Sequence, residues 1–270
     1  TLERLAAAFV RQRRFTADAS HELRTPVTAI LGQAELALSR RRTPEAYQDS
    51  LQRIAEEAER MQRLIGRMLA LARAEGGQPV LNFAPADVAA LLRTLTETLA
   101  VQAEEKQVDL ELQAPESAVI TTDADSLTQI LLNLIENAIA YTDHGLVQVG
   151  LVEQGDGICI TVADSGSGIA PEQMPAIFEP FFRVDPSRQR QSGGVGLGLA
   201  LAHELTRLLG GDLSVANRAE GGAVFPASRI AWHPVGYVRT QPSNSSVRRT
   251  GWEWPDVLLP AAPFDVAPGF

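Results

Sequence analysis

Eight apolar residues, Tyr47, Leu51, Ile54, Ala58, Met61, Ile65, Met68 and Ala72, recur at alternating spacings of four and three. This is a heptad seam sustained over nearly four heptads, and it commits the segment to a long amphipathic helix laid against partner helices. The preceding segment repeats the pattern at Leu23, Val27, Ile30, Ala34 and Ala37. Between them, Thr43 and Pro44 have the chemistry of a helix start, a capping hydroxyl followed by a first-turn proline. Residues 2–74 therefore read as a helical hairpin with a short connection near residues 40–42. Two such helices cannot close a core alone. A dimer forming a four-helix bundle is the economical solution, and an intramolecular coiled coil packed on the rest of the chain is the alternative.

The first arm carries the run Phe15-Thr16-Ala17-Asp18-Ala19-Ser20-His21-Glu22-Leu23-Arg24-Thr25-Pro26. His21 falls two residues before a seam position and is expected to face outward. A free imidazole is largely neutral near pH 7, so one ring nitrogen offers a lone pair to a phosphorus centre. A carboxylate such as Glu22 fixes the ring tautomer and balances positive charge developing on it. Thr25, four residues on, shares the helical face of His21 and can hold a water or a phosphoryl oxygen. Pro26 removes the helix bond to the carbonyl of Glu22 and loosens the helix beside the reactive residue.

Past the run Glu75-Gly76-Gly77-Gln78-Pro79, whose composition is that of a hinge, the pattern changes. A helix is expected near residues 88–103, alternation at Val108, Leu110 and Leu112 marks a strand, and a second helix covers about residues 125–140. Strands are expected near residues 146–153 and 158–163, joined at Gly155-Asp156-Gly157, then a helix at residues 197–209 and strands near Leu213 and Val224. This order fits a two-layer α/β sandwich. The domains read as 1–75, a hinge at 76–79, 80–225, and an irregular tail at 226–270. The tail holds seven of the sixteen prolines and all three tryptophans. It reads as disordered or foreign, with a genuine docking segment as the alternative, and this reading leaves the last sheet edge unpaired.

A formal charge of −9 without a compensating basic tract argues against nucleic-acid binding. The lone Cys159 sits in an alternating strand, excludes an intrachain disulfide framework and fits a reducing compartment. No run of about 18 apolar residues occurs, so neither a membrane span nor a signal peptide is expected in this chain. The first residue is Thr1, already inside helical sequence, and a longer parent protein is expected.

Four further blocks carry chemistry. Asn133 and Asn137 lie one helical turn apart, and amide oxygens suit Mg2+, which takes oxygen ligands and bridges phosphates. Asp164 ends an apolar strand, where its carboxylate can accept from an exocyclic amine, and Gly166 and Gly168 let the backbone approach a base. Phe178, Phe181 and Phe182 read as packing anchors. Gly194, Gly196 and Gly198 precede a helix, whose N-terminal N–H groups make an anion site. Walker and dinucleotide loops are absent.

Taken in order, the His21 run and the blocks 133–138, 164–168, 178–183 and 194–199 resemble the H, N, G1, F and G2 boxes of the sensor histidine kinases of bacterial two-component systems. The resemblance implies an α+β chain, a helical-hairpin dimerisation domain followed by a gyrase-type ATP-binding sandwich. It implies ATP and Mg2+ as cofactors, with Asn137 as metal ligand, Asn133 on phosphate or its water shell, and Asp164 on adenine. It also implies a mobile lid over the polar stretch after Arg183, whose Arg183, Arg188 or Arg190 would face the γ-phosphate. The expected activity is autophosphorylation of His21 and transfer to an aspartate of a response regulator receiver domain, by a homodimer. A cytoplasmic fragment of an inner-membrane parent follows. The alternatives are a dimeric phosphotransfer scaffold or a response-regulator phosphatase with an impaired ATP domain. One departure is plain: the family often has a lysine where this chain has Ala140.

Overall fold

The computed structural model describes residues 2–76, 81–154, 157–184, 195–218 and 221–230. Helix α1 spans Leu2–Leu38 and α2 spans Pro44–Glu75. The connection is closed from both sides: the Arg42 side chain donates to the Leu36 carbonyl at 3.0 Å, and Thr43 Oγ1 accepts from the Ala46 N–H at 3.3 Å. Pro26 lies inside α1 and is buried. Helix α2 presents two apolar faces. Leu64, Leu71 and Ala74 are at most 4 % exposed, packed within the chain's own core. The heptad seam stays largely open, with Tyr47, Leu51 and Ile65 at 37, 65 and 40 % exposure, and α1 leaves Val27 and Leu31 exposed as well.

The second part is built on a mixed sheet in the order β2-β4-β5-β8-β6, from β2 (Val108–Gln113), β4 (Gly145–Gln154), β5 (Gly157–Asp164), β8 (Ala223–Ile230) and β6 (Asp212–Leu213). Strands β2 and β4 run parallel and the other pairs antiparallel, and β7 (Ala216–Asn217) also joins β8. A separate ribbon pairs β1 (Ala84–Asp87) with β3 (Val119–Thr122). Helices α3 (Val88–Glu105), α4 (Ala124–Tyr141) and α5 (Gly198–Leu208) form the second layer, with α3 against β2 and α4 against β4, β5 and α5. Between the layers, Leu127, Ile130, Leu131, Leu134, Ile135 and Ile139 of α4 meet Ile158 and Ile160 of β5, all at most 1 % exposed. Each such side chain contributes roughly 1.5–3 kcal/mol on burial. Aspartates start two of the helices. Asp87 Oδ1 accepts from the Ala89 and Ala90 N–H groups, and Asp123 Oδ1 accepts from Ser126 at 2.7 Å. The same carboxylates tie in the ribbon, through Ala118 to Asp87 and Asn82 to Asp123.

Three strands go beyond the sequence expectations and one expectation needs correction. Strands β1, β3 and β7 lack a readable alternation, being two to four residues long. The irregular tail does not begin at Pro226, because β8 continues to Ile230 and pairs with both β5 and β6. The last edge is therefore not left unpaired at Phe225. Proline argues against a central strand because it donates nothing to the ladder. Here Pro226 falls between the stretch paired with β7, which ends at Val224, and the stretch paired with β6, which starts at Ala227. Its carbonyl still accepts from the Ser214 N–H at 3.1 Å. Of the expected hinge, Gly76 closes α2 by donating to the Ala72 carbonyl at 3.0 Å. Residues 77–79, the 155–156 turn and residues 231–270 lie outside the described residues.

Candidate nucleotide site and phosphoacceptor helix

The floor of the site is Asp164, the last residue of β5, at 3 % exposure. Burial pushes its carboxyl pKa up, opposed by the N–H groups of Ala223 and Gly166 and by the Arg218 charge. Both backbone bonds fall on Oδ1, from Gly166 at 2.9 Å and Ala223 at 3.1 Å. Oδ2 is left to accept from a ligand in a mainly apolar pocket walled by Tyr141, Ile169, Ile177 and Phe182. Gly166 is required by proximity, since a Cβ there would stand 2.5 Å from the Tyr141 carbonyl oxygen. Asn217 on β7 holds the loop beyond Gly168, accepting from the Ile169 N–H at 2.8 Å and donating to its carbonyl at 2.7 Å.

A larger cavity of about 660 Å³ adjoins this pocket, sharing Asn137, Tyr141 and Phe182 with it. Asn133 and Asn137 of α4 line it together with Gly196 and Gly198. Asn133 is buried and spends its Nδ2 on the Gln129 carbonyl at 2.8 Å, while its Oδ1 faces Gly198, 3.0 Å from where a Cβ would stand. Helix α5 opens at Gly198 without a side-chain cap, so its first N–H groups look for an outside acceptor. Gly196 has φ +76°, and the Phe181 N–H donates to its carbonyl at 2.8 Å, stitching the phenylalanine block to the glycine block. Phe181 itself has φ +64°, an uncommon conformation for a bulky residue.

Asn137 also fits a metal shared with phosphates. Among the described residues no group of three or more His, Cys, Asp or Glu side chains could hold an ion by itself, and Mg2+ binds readily through one or two protein oxygens plus phosphates and waters. Arg183 is half-buried beside the pocket wall, whereas Gly194, Arg188 and Arg190 lie outside the described residues.

His21 and Thr25 are exposed on α1 and Glu22 is half-buried. None of the three lines either cavity. Contact with the site runs through the residues just before them: the Phe15 ring meets Phe181 at a centroid distance of 5.4 Å, and Arg14 pairs with Glu179 at 3.3 Å. Sequence reasoning missed Tyr141, Ile169, Ile177 and Phe182 as pocket walls, and it gave Phe182 a packing role alone. Apolar residues carry no such signal, because the core uses the same types. The lysine missing at position 140 has a counterpart in space, Lys106, whose Nζ donates to the Ile139 and Ala140 carbonyls at 2.8 Å each.

Residues 11–77 match the His Kinase A (phospho-acceptor) domain and residues 122–230 the histidine kinase-, DNA gyrase B-, and HSP90-like ATPase. The chain is 35 % identical over 221 residues to the sensor histidine kinase CusS of Escherichia coli O157:H7, covering 82 % of this chain and 46 % of that protein. It is 35 % identical over 216 residues to the sensor histidine kinase MtrB of Mycobacterium leprae, covering 79 % and 38 %. The chain thus spans less than half the length of these relatives. Among solved structures, full-length ShkA in complex with AMPPNP superposes with a TM-score of 0.57 at 30 % identity, over 80 % of this chain and 45 % of that one. The Acinetobacter baumannii histidine kinase AdeS shares the fold, with a TM-score of 0.63 at 24 % identity over 77 % and 95 %. With a phosphoacceptor hairpin and a gyrase-type ATPase domain in that order, the chain belongs to the sensor histidine kinases of bacterial two-component systems.

Proposed function

We propose that this chain is the kinase core of a two-component sensor, which binds ATP with Mg2+ in the α/β domain, autophosphorylates His21 and passes the phosphoryl group to a receiver-domain aspartate of a response regulator. The observation that carries the reading is the buried Asp164, with one carboxylate oxygen spent on backbone and the other facing an apolar pocket that opens towards Asn133, Asn137 and the N-terminus of α5. An adenine ring fits such a pocket, its exocyclic amine donating to Oδ2 and its faces lying against Ile169, Ile177 and Phe182. The phosphates then extend towards Gly196, Gly198 and the α5 N–H groups. Asn137 would be the protein ligand of Mg2+, which when bound neutralises phosphate charge, and Asn133 would meet the phosphates or their water shell. Arg183 would face the γ-phosphate.

In the transfer, a ring nitrogen of His21 forms the P–N bond as the bond from the γ-phosphorus to the bridging oxygen breaks, and ADP leaves. Glu22 holds the ring tautomer and balances the charge, and Thr25 positions the phosphoryl oxygens. The exposed seam of α2 supports a homodimer closing a four-helix bundle. We read residues 1–75 as the phosphoacceptor domain, 76–79 as the hinge and the residues from 80 to the end of β8 as the catalytic domain. No described helix is long and apolar enough to cross a membrane. The chain spans less than half of CusS and MtrB, and we read it as a cytoplasmic segment of a longer, membrane-bound protein. Incubation with γ-labelled Mg-ATP should leave acid-labile, base-stable label on the chain, and retention of such label by His21→Ala would refute the acceptor assignment.

A further inference from the structure

The wall of the larger cavity opposite α4 belongs to the helical hairpin. Arg60, Arg63 and Arg67 of α2 line it at spacings of three and four, so three guanidinium groups share one helical face. They face Asn133, Glu136 and Asn137 across the cavity. Arg67 spans it, with Nη2 3.1 Å from Glu136 Oε2, and both side chains are partly exposed, at 30 and 39 %. The other two arginines make looser contacts within α2, Arg60 with Glu57 at 3.8 Å and Arg63 with Glu59 at 3.9 Å. The remaining cation lining the cavity, Lys106 at the end of α3, has its ammonium on the two α4 carbonyls.

We propose that Arg63 and Arg67 are nucleotide-binding residues: the triphosphate tail of ATP draws Arg67 away from Glu136, so that nucleotide binding and docking of the hairpin become one event. The inference rests on the reading of this cavity as the phosphate side of the nucleotide site. A triphosphate brings several negative charges against the one on Glu136, and guanidinium binds phosphate oxygens in the same two-pronged geometry as carboxylate. A partly exposed ion pair is weak, so the exchange costs little. Glu136 therefore acts as a competitor for Arg67 that occupies it when the nucleotide is absent.

The test compares binding of Mg-ATP and of adenosine, which has no phosphate, to the full chain and its variants by calorimetry. Arg67→Gln should weaken Mg-ATP by about tenfold or more, the order expected for a lost hydrogen bond to a charged group, and leave adenosine unchanged. Arg63→Gln, which alters only a contact on the α2 surface, should act in the same direction. Glu136→Gln should tighten Mg-ATP. Unchanged adenosine affinity reports that each variant is folded. If Arg67→Gln and Glu136→Gln shift Mg-ATP in the same direction, the pair is an ordinary clamp and the proposal is overturned. If neither arginine variant affects Mg-ATP while Asp164→Asn weakens both ligands, the proposal fails and the nucleotide site stands. If Asp164→Asn affects neither ligand, the nucleotide reading itself fails.

Discussion

Asp164 shows how much chemistry one carboxylate carries when its two oxygens have different partners. Asn keeps an acceptor for Gly166 and Ala223 but turns an N–H2 towards the pocket, where, on the proposed reading, the adenine amine would also donate. Asp164→Asn should weaken Mg-ATP about ten- to a hundredfold, the effect of leaving polar groups unpaired at roughly 1–3 kcal/mol, measured by calorimetry. Its pH dependence follows from burial. The carboxyl pKa is raised above its ordinary value of 3.8, so protonation of Oδ2, and with it loss of ATP affinity, should set in at higher pH than for an exposed aspartate. In the Asn variant this dependence should vanish. For stability the sign is opposite to that of a salt-bridged aspartate. A raised folded-state pKa gives a contribution that is complete below the unfolded value and lost as pH rises through the folded one. At neutral pH the Asn variant should melt no lower than the native chain.

At the scale of elements, β8 and α2 are the informative ones. Strand β8 ties the short strands β6 and β7 to the rest of the sheet, with β5 on its other side. A chain ending at Phe225 should therefore melt well below one ending at Ile230, because it loses the pairings of residues 226–230. Ala227, fully buried and paired with both Ile160 and Leu213, gives the sharper test. Ala227→Asp should destabilise by several kcal/mol through a buried unpaired charge, read by chemical denaturation. The two faces of α2 should respond differently. Leu71→Ala opens a cavity in the core and should cost about 2–5 kcal/mol. Leu51→Glu with Ile65→Glu lies on the exposed seam and should instead yield well-folded monomers, and an unchanged dimer by light scattering would refute the four-helix arrangement.

Across the whole molecule, the proposed acceptor and the proposed nucleotide site are separate parts whose described contacts include Phe15–Phe181, Arg14–Glu179, Arg67–Glu136 and α2 against α5. Their defects should separate as well. His21→Ala should abolish phosphoryl incorporation with ATP affinity nearly unchanged. Asn137→Ala should abolish it with the dimer intact, since position 137 lies on α4, outside the heptad seam of α1 and α2. Strong label on the Asn137→Ala chain would count against that assignment.

The amino-acid sequence by itself determined the hairpin, the main strands and helices of the sandwich, and the Asn, Asp and Gly residues that line the candidate site. Heptad spacing, alternation, the Thr43-Pro44 start and the ordered Asn, Asp and Gly blocks are local signals, readable without knowing what packs on them. Only the tertiary structure decided which neighbours those residues meet. It carried β8 through Pro226, because the strand's partner edge is interrupted there. It split the apolar residues of α2 between a core face and an open seam. It also brought Lys106 to the carbonyl of Ala140 and Arg67 to Glu136, contacts between residues 34 and 69 positions apart. Long-range pairing depends on the register and docking of whole elements, which periodicity along the chain does not encode.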